Sequence, residues 1–100
     1  MLRHVLLLKL KEGVRPEQID AIDAGLRRLM AQIPAVAQGR FGRALGLPGS
    51  SGEAADYAIA LDFESPADFQ AYIQDPRHQA FVRETLAPVR LAAWSAQIAL

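Results

Sequence analysis

Apolar residues recur along this chain in two rhythms, and the switches between them lay out its elements. Residues 3–11, RHVLLLKLK, follow the two-residue period of a strand: His4, Leu6, Leu8 and Leu10 share one face, Arg3, Val5, Leu7 and Lys9 the other. The middle of both faces is apolar, whereas a strand wet on one side alternates more cleanly. The first strand is therefore expected to be covered on both sides. After Glu12-Gly13 the rhythm changes. Ile19, Ile22, Leu26, Leu29, Met30 and Ile33 fall at helical spacing, Pro16 suits a first helical position, and Glu17 and Asp20 lie near the positive helix start. The spacing predicts an amphipathic helix over 16–33, with Asp20, Asp23, Arg27 and Arg28 on its solvated face.

Pro34 ends that helix. Residues 38–45, QGRFGRAL, read as a second strand weakened by two glycines, and 46–54, GLPGSSGEA, as a turn-rich loop. In 56–63, DYAIALDF, Tyr57, Ile59, Leu61 and Phe63 alternate with Ala58, Ala60 and Asp62, a clear strand. Ser65-Pro66-Ala67-Asp68 is a helix start, with Ser65 as N-cap, and predicts a short helix over 66–74. Asp75-Pro76 then restarts the chain, Asp75 capping a helix that carries Phe81, Val82 and Leu86 and ends near Pro88. Residues 90–98, RLAAWSAQI, read as a final strand containing Trp94.

The order is β-α-β-β-α-β, with the second helix in two pieces. That is the α+β, ferredoxin-like arrangement: a four-stranded antiparallel sheet with its helices on one face. Nothing in this order covers the other face. Yet the first strand is apolar on both sides, and the last two strands carry alanines where charges would be expected. A second copy is the expected cover, giving a two-fold homodimer with facing sheets. Trp94 and the four phenylalanines are expected in the core, and Asp62 and Glu64 at the surface or the dimer rim.

Composition narrows the function. The chain has 100 residues, which suggests one domain over 1–100. Its formal net charge is zero, against the basic excess that nucleic-acid binding requires. No stretch approaches the roughly 20 apolar residues of a membrane span, and no basic amphipathic helix suggests a membrane surface. The apolar run Val5–Leu8 is too short for a signal peptide and is broken by Lys9. Without cysteine there is no disulfide framework, thiolate nucleophile or Cys-based metal site, in keeping with an expected cytoplasmic location. The two histidines lack an HxH or HExxH spacing, and the glycines of 46–52 follow no strand-to-helix turn, so neither a metal nor a nucleotide or other cofactor is expected. Asp75 and His78 stand at helical spacing, but capping accounts for Asp75. With neither a cysteine nor a GxSxG, nucleophilic acyl chemistry is not expected.

Four segments together resemble a known family: the opening Met-X-X-His-Val-Leu-Leu-Leu-Lys-Leu-Lys-Glu-Gly-Val, Ile33-Pro34, Asp56-Tyr57 through Phe63-Glu64-Ser65, and Tyr72 to Asp75-Pro76-X-His78-X-X-Phe81-Val82. The chain is similar, over almost its whole length, to the stress-responsive α/β-barrel domain (Dabb) family. The resemblance implies a dimeric α+β barrel of two ferredoxin-like protomers. Some plant relatives are polyketide cyclases that close a ring by cofactor-free aldol-type condensation; others are stress-induced, heat-stable proteins. The same barrel also serves cofactor-free monooxygenases, so the fold alone decides little.

The working set of the cyclase relatives corresponds to His4, Tyr72 and His78. One position departs: Asp75 stands where many relatives have a histidine. The residue pattern permits convergence of the three. His4 shares its strand face with Leu6, Leu8 and Leu10; His78 shares the stripe of Phe81 and Val82; Tyr72 lies one helical step beyond Phe69. Ala31, Ala58 and Ala60 are candidates for the lining of the same pocket. A histidine can take a proton α to a carbonyl near neutral pH, and a tyrosine hydroxyl can donate to the developing enolate oxygen. His78 is thus expected as base, with Tyr72 and His4 as polarising or orienting groups, acting on a small hydrophobic carbonyl compound. The competing expectation is a non-enzymatic dimer. There His78 bonds Asp75 or Tyr72 at a helix start, His4 is a satisfied strand-end residue, and Tyr72 is core with a wet hydroxyl.

Overall fold

A computed structural model describes residues 1–50 and 55–100. The elements run β1 (Leu2–Leu10), α1 (Pro16–Gln32), β2 (Gln38–Arg43), β3 (Tyr57–Phe63), α2 (Pro66–Gln74), α3 (Pro76–Phe81), a π-helical turn (Val82–Leu86) and β4 (Arg90–Ala99). The expected β-α-β-β-α-β order is present. The sheet order is β2-β3-β1-β4 with every neighbouring pair antiparallel, the split arrangement of a ferredoxin-like fold.

Local chemistry sets the boundaries. The Ser65 hydroxyl accepts from the Asp68 backbone N–H at 3.2 Å and starts α2. The Asp75 carboxylate accepts from the Arg77 backbone N–H at 2.8 Å and starts α3 in the same way. Pro88 sets the π turn. It has no N–H for the Glu84 carbonyl, and its ring crowds that group, so the α pattern cannot run through. The turn widens instead, and the Ala87 N–H donates to the Val82 carbonyl at 2.8 Å. β2 is shorter than expected, and the loop after it turns through Gly46 and Gly49 at positive φ. Residues 51–54 of that expected loop lie outside the described residues.

The helices cover one face of the sheet. Leu8, Leu10, Ile59, Leu61 and Phe63 pack there against Ile22, Leu26 and Leu29 of α1, with Tyr72, Phe81 and Leu86 from the second helical segment. Of the solvated face expected for α1, Asp20, Arg27 and Arg28 are exposed, but Asp23 is half-buried and accepts a hydrogen bond from the Tyr57 hydroxyl.

The opposite face carries Arg3, Val5 and Leu7 from β1 and Ala58, Ala60 and Asp62 from β3. The β1–β4 register adds Trp94 opposite Leu7, Ala96 opposite Val5 and Ile98 opposite Arg3. Two expectations are corrected here. Trp94 is not in the core: it stands on this face, 52% exposed, as is Ile98 farther along the strand. Its even position in β4 puts it opposite Leu7 rather than on the helix side. The phenylalanines divide differently, Phe63 and Phe81 buried, Phe41 and Phe69 half-buried against the core. Asp62 lies on the predicted face but is only 5% exposed. Arg3 covers it and donates from Nε at 2.7 Å and Nη2 at 3.0 Å, which holds the Asp62 pKa below the ordinary carboxylate value. Glu64 is exposed, as expected.

Candidate active site

His4, Tyr72 and His78 line one cavity of about 200 Å³ between the sheet and the second helical segment. Each arrives by a different local rule. His4 is the helix-side residue near the start of β1. Tyr72 faces inward because the Ser65 cap sets the phase of α2. His78 lies in α3, whose start the Asp75 cap fixes. Leu6, Leu26, Leu61, Ile73, Phe81 and Val82 supply apolar wall, and Gly25 lets the Phe81 ring lie directly against α1, where a Cβ would collide with it. Ala58 and Ala60 do not line the cavity, because strand alternation puts them on the opposite face; Ala31 is exposed on α1.

Aromatic rings link the two histidines. The His4 ring is 4.9 Å from Phe69, Phe69 is 5.4 Å from Phe63, Phe63 is 5.3 Å from Tyr72, and Tyr72 is 4.4 Å from His78. Burial lowers the pKa of both histidines, since the charged ring loses its hydration. The nearby His78 charge lowers His4 further, whereas the Ile73 carbonyl and Asp75 partly offset the burial of His78. Burial also pushes the Tyr72 hydroxyl up, so the cavity holds neutral rings and a neutral phenol at pH 7. Among the described residues the Tyr72 hydroxyl has no hydrogen-bond partner, and no buried side-chain polar atom is left stranded there. The hydroxyl is available to an occupant.

The two rings are held in different tautomers. His78 Nδ1 lies 3.2 Å from the Ile73 carbonyl oxygen. A carbonyl only accepts, so Nδ1 carries the hydrogen and Nε2 keeps its lone pair. His4 Nδ1 instead receives a hydrogen bond from the Gln97 side-chain amide at 2.9 Å, which leaves the hydrogen on Nε2. One neutral histidine is thus a base and the other a donor. Asp75 is engaged elsewhere: Arg77 binds it through its backbone N–H, Nε and Nη2 and depresses its pKa to about 2. Among the described residues, no three His, Cys, Asp or Glu side chains gather into a metal-binding group.

Sequence reasoning missed Gln97, Ser95 and Arg90, all on β4. Gln97 pairs with His4 and Ser95 with Leu6, so both lie on the helix side. Their odd positions opposite the face of Trp94 were the available signal, but only the register attaches that parity to His4. Arg90 had no such signal. Strict alternation groups it with Ala92 and Trp94, but a bulge at Leu91 reverses the parity and pairs Arg90 with Leu10.

Residues 2–96 match the sequence profile of the stress responsive A/B barrel domain, Dabb. The chain belongs to this family. No curated protein matches it. Among solved structures, a dimeric ferredoxin-like protein of unknown function from Thermobifida fusca is 31% identical, with 99% of this chain and 90% of that chain covered at a TM-score of 0.86. A protein of Arabidopsis thaliana is 23% identical over 100% of this chain and 95% of its own, at 0.87. A hydroxynitrile lyase from Passiflora edulis is 24% identical over 99% and 92%, at 0.86. The last two likenesses concern the fold. Among the described residues of this Dabb domain, no helix is long and apolar enough to cross a membrane.

Proposed function

We propose that this Dabb domain works as a homodimer that binds a small hydrophobic carbonyl compound and catalyses a cofactor-independent proton transfer, with ring closure as the productive outcome. The observation that carries the reading is the pairing of tautomers in one cavity: a histidine with a free Nε2 lone pair, a histidine with an Nε2–H, and a tyrosine hydroxyl with no partner among the described residues. In this scheme His78 Nε2 removes a proton α to the carbonyl. The Tyr72 hydroxyl and His4 Nε2–H donate to the oxygen as it becomes an enolate. The enolate carbon attacks a second carbonyl of the same molecule, forming one carbon–carbon bond. The proton on His78 then passes to the new alkoxide. No electron carrier is needed, and the base is restored. A hydroxynitrile lyase shares this fold, so the fold is compatible with lyase-type chemistry. The dimer is supported by the apolar open sheet face and by the dimeric Thermobifida fusca relative.

One observation favours the competing, non-enzymatic reading: each histidine is tied to the fold through Nδ1. Deuterium exchange separates the two. Methyl ketones incubated in heavy water with the wild-type protein should exchange their α protons. The rate should rise with pH through a value below that of a free histidine and then level off. His78→Ala should lose about 10²–10⁴-fold in rate, and Tyr72→Phe about 10²-fold. Exchange at the buffer rate in wild type would leave the histidines structural.

A further inference from the structure

The cavity wall also carries Arg90 and Ser95. Arg90 is half-buried and pairs with Leu10, itself a buried helix-side residue, so the bulge at Leu91 turns the arginine toward the helices. The described arginines and lysines that form ion pairs do so with Asp62, Asp56, Glu17, Asp20, Asp75 and Glu84; no described carboxylate pairs with Arg90. Among the described residues the cavity wall contains no Asp or Glu. Its ionisable groups are His4, His78, Arg90 and Tyr72: one fixed cation, two groups that can become cations, and a phenol that stays neutral. A planar guanidinium in such a wall matches a carboxylate through two parallel hydrogen bonds.

His4 and Arg90 stand at opposite ends of the helix-side surface, since Arg90 pairs with Leu10, at the other end of β1 from His4. The opening is therefore polarised along the strand. The proton-transfer groups lie at one end, a mostly apolar wall that includes Ser95 spans the middle, and the cation sits at the other. At about 200 Å³ the space is smaller than a typical drug-sized pocket.

We propose that Arg90 selects the substrate class: a small carbonyl compound bearing a carboxylate, its anionic end at Arg90 and its carbonyl at His4, Tyr72 and His78. This rests on the carbonyl reading above and adds the charge. Ser95, between the two ends, offers the occupant a hydroxyl.

The test uses para-acetylbenzoate and para-acetylbenzamide, which share shape and ketone and differ in charge. Binding to the full chain is measured by NMR titration, and α-proton exchange of the methyl ketone is followed in the same tubes. Wild type should bind the acid about tenfold or more tightly than the amide. Arg90→Gln, with an unchanged melting curve, should lose the preference and bind both alike. Arg90→Lys should recover part of the preference. Equal binding of acid and amide by wild type overturns the proposal, as does a preference that survives in Arg90→Gln. Failure of both probes to bind overturns it too. Exchange without acid preference removes the charge selection alone. Acid preference without exchange removes the proton-transfer reading and leaves Arg90 as an anion-selecting residue.

Discussion

The two faces of the sheet are built from the same strands, yet they solve different problems. On the helix side, Leu8, Ile59, Leu61 and Phe63 meet side chains of their own chain and are almost fully buried. On the other side, Val5, Leu7, Trp94 and Ile98 form an apolar surface that no described element covers. The polar groups differ as well. The covered face holds two histidines as neutral rings in a cavity. The open face holds a charged pair, Arg3 with Asp62, at hydrogen-bonding distance. An apolar strand face thus signals burial without saying what supplies it. On one face the chain itself does; on the other, the proposed second copy does.

The largest effect expected from breaking this comparison is on the covered face. Phe63 is fully buried beneath Phe69 and Tyr72, so Phe63→Ala should cost about 3–5 kcal/mol, read from urea unfolding. The open face should respond in association rather than folding. Leu7→Asp places a carboxylate opposite Trp94 and should weaken self-association by about 100-fold or more, an interface charge left buried and unpaired. Sedimentation equilibrium would show it, and unchanged association would mean that this face is not the interface. Next comes Gly25→Ala, which forces its Cβ against the Phe81 ring. It should cost about 1–3 kcal/mol and shift Phe81 resonances along with those of the cavity.

The smallest effect separates the faces by pH. The folded His4 and His78 pKa values lie below the unfolded value of about 6.5. Above that value neither state is protonated and the histidines contribute nothing. As pH falls through it, the unfolded chain binds protons first and stability declines, until the folded rings protonate too. Asp62 is the opposite case. Its folded pKa is depressed, so its contribution is complete above about 3.9 and is lost as pH falls through the lowered value. Urea unfolding across the pH range should show two acid steps. His4→Gln should diminish the upper one, and Arg3→Met the lower one alone.

Much of this molecule was legible in its sequence. Apolar spacing predicted α1 and β3 nearly to the residue, because burying a stripe or a face requires that period whatever the partner. Ser65-Pro66 and Asp75-Pro76 announced two helix starts, because a cap is satisfied within a few residues of itself. His4, Tyr72 and His78 could be nominated from their faces. The rest depended on contacts between distant segments. Trp94 was assigned to the core because its hydrophobicity carries no record of which face it occupies. Asp62 is buried by Arg3, 59 positions away. The tautomers rest on the Ile73 carbonyl and on Gln97, 93 positions from His4. Arg90 reaches the cavity only because one bulge reverses the alternation of β4. By itself the sequence determined which segments are helix and strand and which faces must be covered, since those follow from local hydrogen bonding and from the period of apolar burial. The tertiary structure alone decided which polar groups meet and what each can donate or accept, since that depends on register and crossing between strands far apart in the chain.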